Sequence, residues 1–205
     1  QTMNYLMKQN VKHISTYTLQ IEKHTMLYSK LKKGKISPVK DEDMVDIYNK
    51  INKTLTKAGY CRYEVSNYAK PGFECKHNLK YWDDESSYLG LGVAAHSYID
   101  GYRYYNTKRL DTYIDAMNEG KSAVYSKEYV SNEEHRIERI MLSLRTQKGL
   151  DLDKFKKDFN EDILRTRAEA IKKMTELGMI EIKDNYLKIK DDYFAVSNSI
   201  IVELI

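Results

Sequence analysis

Residues 41–66 read DEDMVDIYNKINKTLTKAGYCRYEVS, and this stretch decides the fold class. Met44, Tyr48, Ile51, Leu55 and Ala58 recur at steps of four, three, four and three, which places them on one face of a helix. The carboxylates at 41–43 suit the positive end of that helix, and Gly59 suits the residue that ends it. YCRYEVS at 60–66 follows at once, aromatic and β-branched as strands are, with Cys61 read as a small buried hydrophobe. The same alternation runs upstream. Met3, Leu6, Met7 and Val11 keep helical spacing behind a Thr2 cap, and HISTYTL at 13–19 reads as a strand. A short helix from Met26 to Leu31 then ends at Gly34. Helix, strand, helix, strand in this order predicts right-handed crossovers and a parallel sheet, the signature of an α/β protein.

Downstream the rhythm breaks. Pro71-Gly72 marks a turn, Gly90 and Gly92 bracket Leu91, and Asp100-Gly101 between SYI and YRYYN is a hairpin signal. A helix carried by Leu110, Tyr113, Ile114 and Met117 closes at Gly120. Loops past the strand ends carry the chemistry of parallel α/β proteins, and this one holds Cys75, His77, Asn78, Tyr81, Trp82 and His96. An imidazole can ligate a metal or haem iron, and Tyr81 and Trp82 offer flat surface with a polar handle. The plainer reading of His77 is a loop histidine bonded to backbone, beside aromatics that anchor the loop. His96 follows Gly90-x-Gly92-x-Ala94-Ala95, small residues that suit close backbone approach. It either lines the same pocket as His77 or is a buried, satisfied histidine. Cys75 is a thiolate candidate or an incidental loop cysteine, and Glu64 a polar site group or the partner of a neighbouring Lys or Arg.

The last ~75 residues change character. Ser131 with Glu134 forms a capping box ahead of Ile137, Ile140, Met141 and Leu144. Helices around Leu152–Phe159 and from Ile163 to Leu177 follow, then MIEIKDNYLKIK folds back around Asp184-Asn185, and a closing helix runs through Ile200. Three helices and a β-ribbon make a winged helix, which raises nucleic-acid binding as a reading. About 14 basic against about 12 acidic residues over 131–190 is a weak footprint for a phosphate binder, and Glu161, Asp162, Glu169 and Glu176 fall on the would-be recognition helix.

Composition agrees with an ordinary globular chain of one or two domains. The 205 residues are 41% hydrophobic and 31% charged, with a net charge of +4. No apolar run approaches a membrane span and no signal-peptide core opens the chain, so a cytoplasmic protein is expected. Two cysteines make no disulfide framework and fall short of an iron–sulfur cluster.

Tyr63-Glu64-Val65-Ser66-Asn67-Tyr68-Ala69-Lys70-Pro71-Gly72, then His77-Asn78-x-x-Tyr81-Trp82, then Gly90-x-Gly92-x-Ala94-Ala95-His96-Ser97 together resemble the HemW family. These are radical S-adenosylmethionine relatives of the oxygen-independent coproporphyrinogen III oxidases. Gln1-Thr2-Met3, Ser15-x-Tyr17-x-Leu19-x-Ile21-Glu22 and the winged helix with Ser197-Asn198 extend the resemblance along the whole chain. The family's CxxxCxxC motif is absent here. The resemblance therefore implies the C-terminal part of a partial (βα)6 barrel over residues 1–120 and a winged-helix-like α+β domain over 121–205.

It implies further that the complete protein holds a [4Fe–4S] cluster and S-adenosyl-L-methionine, with Thr16 and Leu19 as weak candidates for contacting the latter and no cluster cysteines in this chain. HNxxYW at 77–82 resembles the haem-chaperone branch. That branch implies a haem-binding protein that hands haem to client proteins, with His77 as iron ligand, Asn78 positioning the loop, Tyr81 and Trp82 lining the macrocycle, and His96 and Cys75 as alternates. The runner-up is an anaerobic coproporphyrinogen dehydrogenase, and a winged-helix nucleic-acid binder is the third reading. The residues present are expected to show no radical activity alone, to bind no nucleic acid, to meet membranes only through clients, and to self-associate through an exposed sheet edge.

Overall fold

The computed structural model describes residues 2–205. Gln1, the first residue of the opening resemblance, lies outside them. Helix α1 (Thr2–Lys8) leads to strand β1 (His13–Ser15), helices α2 (Met26–Lys32) and α3 (Asp41–Lys57), and strands β2 (Cys61–Arg62) and β3 (Asn67–Ala69). Thr25 caps α2 by accepting from the Tyr28 amide at 3.1 Å, and α3 begins on Asp41, Glu42 and Asp43 and ends before Gly59, which takes a φ of 82°. Thr2 is the first residue of α1 and not its cap, and Val11 lies beyond the helix.

The alternation of helices and strands is present, but the pairing is not the parallel one predicted. β3 stands in the centre and pairs antiparallel with both β1 and β2. The cause is local: residues 60–66 are not one strand. The chain reverses after Arg62, the Tyr63 amide donates to the Asn67 carbonyl at 3.1 Å, and β2 and β3 become a hairpin. Cys61 is also exposed rather than buried, because β2 alternates and turns Arg62 inward instead. Ile14, Leu55, Tyr60 and Tyr68 form the core of this layer.

Helix α4 (Lys76–Lys80) opens the loop region. A meander of β4 (His96–Ile99), β5 (Tyr102–Asn106) and β6 (Val124–Tyr129) follows, with α5 (Leu110–Asn118) inserted before its last strand. Asp100 and Gly101 both adopt positive φ, 51° and 75°, giving the hairpin that the sequence signals. The sequence division at residue 120 falls inside this sheet, since β6 pairs with β5.

The remaining elements are α6 (Asn132–Ser143), β7 (Leu150–Asp151), α7 (Leu152–Phe159), α8 (Ile163–Thr166), α9 (Ala168–Glu176), β8 (Ile180–Lys183), β9 (Tyr186–Ile189), a 3-10 turn at Asp191–Val196, and α10 (Ser197–Leu204). The Ser131–Glu134 capping box forms in full, and the wing turns at Asp184-Asn185 with φ of 51° and 64°. The single helix expected over 163–177 breaks at Arg167, whose φ of −119° leaves helical geometry. Sheet β7-β9-β8 and the helices close over a core that includes Phe155, Leu187, Phe194 and Ile200, all at most 1% exposed. Each such side chain contributes about 1.5–3 kcal/mol by leaving water. No helix among the described residues is long and apolar enough to cross a membrane.

Charged contacts fasten the earlier layers to this unit, two of them centred on buried arginines. Arg62 is buried, lies 3.8 Å above the Phe194 ring, and pairs with Asp191 at 2.5 Å. Arg139, on α6 and 5% exposed, is held by Asp84 and Glu85 of the loop after α4 and by Asp158 of α7.

Candidate functional site

The Tyr63 hydroxyl organises the start of the loop. His13 Nε2 lies 2.7 Å from it, and the Cys75 amide, at the N-cap of α4, donates to it at 3.4 Å. Burial raises the Tyr63 phenol above its ordinary range, and the Cys75 amide and the Asn78 side chain oppose that shift. Asn78, on α4, thus reaches Tyr63 at the β2–β3 hairpin. Glu64 beside it is 1% exposed, accepts from the Ser66 amide at 3.1 Å, and bridges in β fashion to Thr146. Desolvation raises its carboxyl above the usual range. Among the described residues it forms no ion pair, so its setting is buried backbone and not a Lys or Arg partner.

His77 is exposed on the outer side of α4. Its ring meets Tyr81 edge-on at 5.1 Å, with Nε2 and the Tyr81 hydroxyl 3.3 Å apart. The spacing i, i+4 stacks the two on one helix face. Tyr81 meets Tyr88 at 4.9 Å, and Tyr88 meets Tyr98 of β4 at 6.4 Å, so four rings run in sequence from α4 onto the meander. Burial raises the phenols of Tyr88 and Tyr98. Trp82 does not join this run. Just past the end of α4, it lines a cleft of about 610 Å³ shared with Leu79, Lys80, Arg139, Lys148 and Tyr186. Tyr81 caps α4 and Trp82 lies one residue beyond that cap, and Trp82 lines this cleft while Tyr81 does not.

His96 is neither buried nor in a pocket with His77. It opens β4, is exposed, and stacks on Tyr105 at 5.5 Å, with Tyr125 another 5.6 Å on. Close approach explains Gly90, whereas Gly92 has open space around it and answers instead to a φ of 109°. A Cβ at Gly90 would lie 2.1 Å from the His96 carbonyl oxygen, and the Gly90 amide donates to Ser97 Oγ at 2.9 Å. Cys75 is half-buried at the head of α4. Thr16 uses its hydroxyl on the Ser66 carbonyl at 3.3 Å, and Leu19 is 74% exposed, so the two are not gathered into a pocket. Arg139, Lys148 and Tyr186 went unread as site residues. They lie 57 or more positions beyond Trp82 in the chain, and no local motif marks them.

Comparison with known proteins adds to this geometry. The HemN C-terminal domain family matches residues 130–192, which lie within the winged-helix unit. The heme chaperone HemW of Lactococcus lactis subsp. lactis (strain IL1403) is 30% identical over 92% of this chain and 49% of that protein. That of Bacillus subtilis (strain 168) is 31% identical over 87% and 47%, and that of Escherichia coli (strain K12) is 43% identical over 42% and 22%. Among solved structures, the coproporphyrinogen III oxidase HemN from Escherichia coli, described as a radical SAM enzyme, aligns with a TM-score of 0.73 at 17% identity, over 99% of this chain and 50% of that one.

Fold and site together define an α/β chain with the architecture of the C-terminal part of HemN: barrel elements closed by a HemN-type winged helix. Within that class the chain belongs to the HemW family. It spans about half the length of the curated relatives it matches.

The residues present fit the implied groups unequally. A [4Fe–4S] cluster takes three or four thiolates, and the chain has Cys61 on β2 and Cys75 at the head of α4. They do not fit a cluster, and no step here runs through one. Among the described residues no three His, Cys, Asp or Glu side chains gather as metal ligands. Haem iron asks less, since one imidazole supplies an axial ligand and flat rings supply the rest. His77 with Tyr81 and Tyr88 fits that requirement.

Proposed function

We propose that this chain provides the haem-binding surface of a haem chaperone and passes haem to client proteins. One observation carries the reading: the exposed His77 imidazole heads a run of rings through Tyr81, Tyr88 and Tyr98, in a chain whose curated relatives are haem chaperones. His77 ligates the iron through an imidazole nitrogen. Tyr81 and Tyr88 cover one face of the macrocycle, and Asn78 holds α4 in place through Tyr63. His96 and Cys75 are the alternate ligands. His96 lies two residues from Tyr98 along β4, and successive odd or even positions of a strand share one face. Because the surface is open, haem bound there is accessible from outside, as release to a client protein requires.

A haem titration followed by visible absorption, on the chain and on His77→Ala in parallel, tests the reading. A saturable Soret shift is expected in the chain, weaker or altered in form in the variant. A shift identical in both would move the ligand to His96 or Cys75. Failure to saturate in either would overturn the reading.

A further inference from the structure

The cleft on the Trp82 side of α4 lies apart from the ring surface that carries His77. It opens between the loop region and the winged-helix unit, with Trp82 and Tyr63 on one wall and Tyr186 of β9 on the other. Its lining carries five Lys or Arg side chains against three carboxylates. Asp84 is held by Arg139 and faces His135 at 2.7 Å, Asp83 accepts from the Ser86 hydroxyl at 2.6 Å, and Asp151 caps α7 by accepting from the Lys154 amide at 3.0 Å. Arg139 and Lys154 are in turn paired with Glu85 and Asp158. Three lining cations are left over: Lys76 and Lys80 from α4, and Lys148 from the loop before β7. Among the described residues none of the three makes an ion pair, and Lys148 instead lies 5.6 Å from the Tyr186 ring centroid.

We infer that this cleft binds a flat ring carrying carboxylate or phosphate arms. The rings of Trp82, Tyr63 and Tyr186 supply stacking surface for the body of such a ligand. Lys76, Lys80 and Lys148 approach from both walls and take the anionic arms, since ammonium groups bind phosphate and carboxylate as point charges. A volume of about 610 Å³ suits a ligand of that size, and a seam between two packed units is where small-molecule sites recur. Two sources share this chemistry, a purine nucleotide and a porphyrin bearing propionates, and the test separates them.

Trp82 is the single tryptophan of the chain, so its emission reports on the cleft alone. Adenosine triphosphate is titrated against that emission. A free-base porphyrin dicarboxylate is followed by its own Soret band, because porphyrins quench tryptophan at a distance. Both titrations are repeated with the surface double variant Lys80→Glu/Lys148→Glu and with His77→Ala. A saturable response to either ligand is expected, weakened about tenfold or more by the double variant and unchanged by His77→Ala. A response to the nucleotide assigns the phosphate source, and a response to the porphyrin assigns the carboxylate source. No saturable response to either, or one indifferent to the double variant, overturns the inference. A porphyrin response lost in His77→Ala would do the same for the carboxylate source, by seating the ring on the outer surface.

Discussion

Among the described residues, the stretch from 130 to 205 buries fifteen side chains in one apolar cluster, whereas the longer stretch before it gathers a cluster of four, Ile14, Leu55, Tyr60 and Tyr68. The earlier stretch also leaves large apolar groups in water, with Leu91 82%, Met26 79% and Leu19 74% exposed. What it lacks in core it draws from the later one. Arg62 reaches Phe194 and Asp191, Arg103 reaches Glu138, and Asp84 and Glu85 reach Arg139. The winged helix is stabilised by burial, which is indifferent to direction. The barrel elements depend on aimed charge contacts, and those are where binding surfaces can be built without a core beneath them.

The largest effect that would test this contrast is Phe155→Ala. Phe155 is fully buried, and the substitution is expected to cost about 3–5 kcal/mol in denaturant unfolding. Hydrogen exchange should then speed in α6 and β9 along with the elements they support. Exchange that speeds in α3 alone, with α6 and β9 unaffected, would break the comparison. Next is Arg139→Ala, which strands the nearly buried Asp84 carboxylate without its main partner and should cost about 3 kcal/mol. Limited proteolysis should find residues 83–89 newly cleavable, and unchanged protection would mean that the loop is held by something other than charge. Ser131→Ala removes a cap from α6 and should cost about 1 kcal/mol, read by the same unfolding curves.

Glu64→Gln gives the smallest effect and the opposite sign. Burial raises the folded-state carboxyl, so the folded protein favours the protonated form. The stability that protonation lends is present below the unfolded value of 4.5 and is lost as pH rises through the raised one. Above that raised value wild-type Glu64 bears the cost of a buried charge. The glutamine variant should be the more stable at alkaline pH, with its advantage shrinking as pH falls toward 4.5. A constant difference across that range would show that Glu64 is not penalised by burial.

Features set by a few adjacent residues were legible in the sequence. The Ser131–Glu134 box, the Asp100-Gly101 and Asp184-Asn185 turns and the face of α3 all stand where the residues put them. Strand partners were not legible, because periodicity locates a strand without saying which neighbour takes its hydrogen bonds. Residues 60–66 kept strand composition while Tyr63 to Ser66 turned the chain back on itself. Helix 163–177 kept its spacing while Arg167 left helical geometry to donate to the Ile205 carbonyl at 2.7 Å. The candidate site divides the same way. His77 and Tyr81 share a face that their spacing announces, whereas Trp82 lies beyond the end of that helix. The cleft that Trp82 enters was invisible, since its far wall comes from residues well beyond position 130.

Gly90 limits how much change the ring surface tolerates. Its backbone passes so close to the His96 carbonyl that the space allotted to a side chain there is a hydrogen atom. Tyr88 and Tyr98 bridge across this same seam, each amide donating to the other's carbonyl at 2.8 and 2.9 Å. The alignment of the ring surface is therefore gauged by the backbone, not by the rings lying on it. Tyrosine can become phenylalanine along that surface at little structural cost, while the smallest enlargement of Gly90 shifts the strand that carries Tyr98. The residue contributing no side chain is the one whose replacement the ring surface tolerates least.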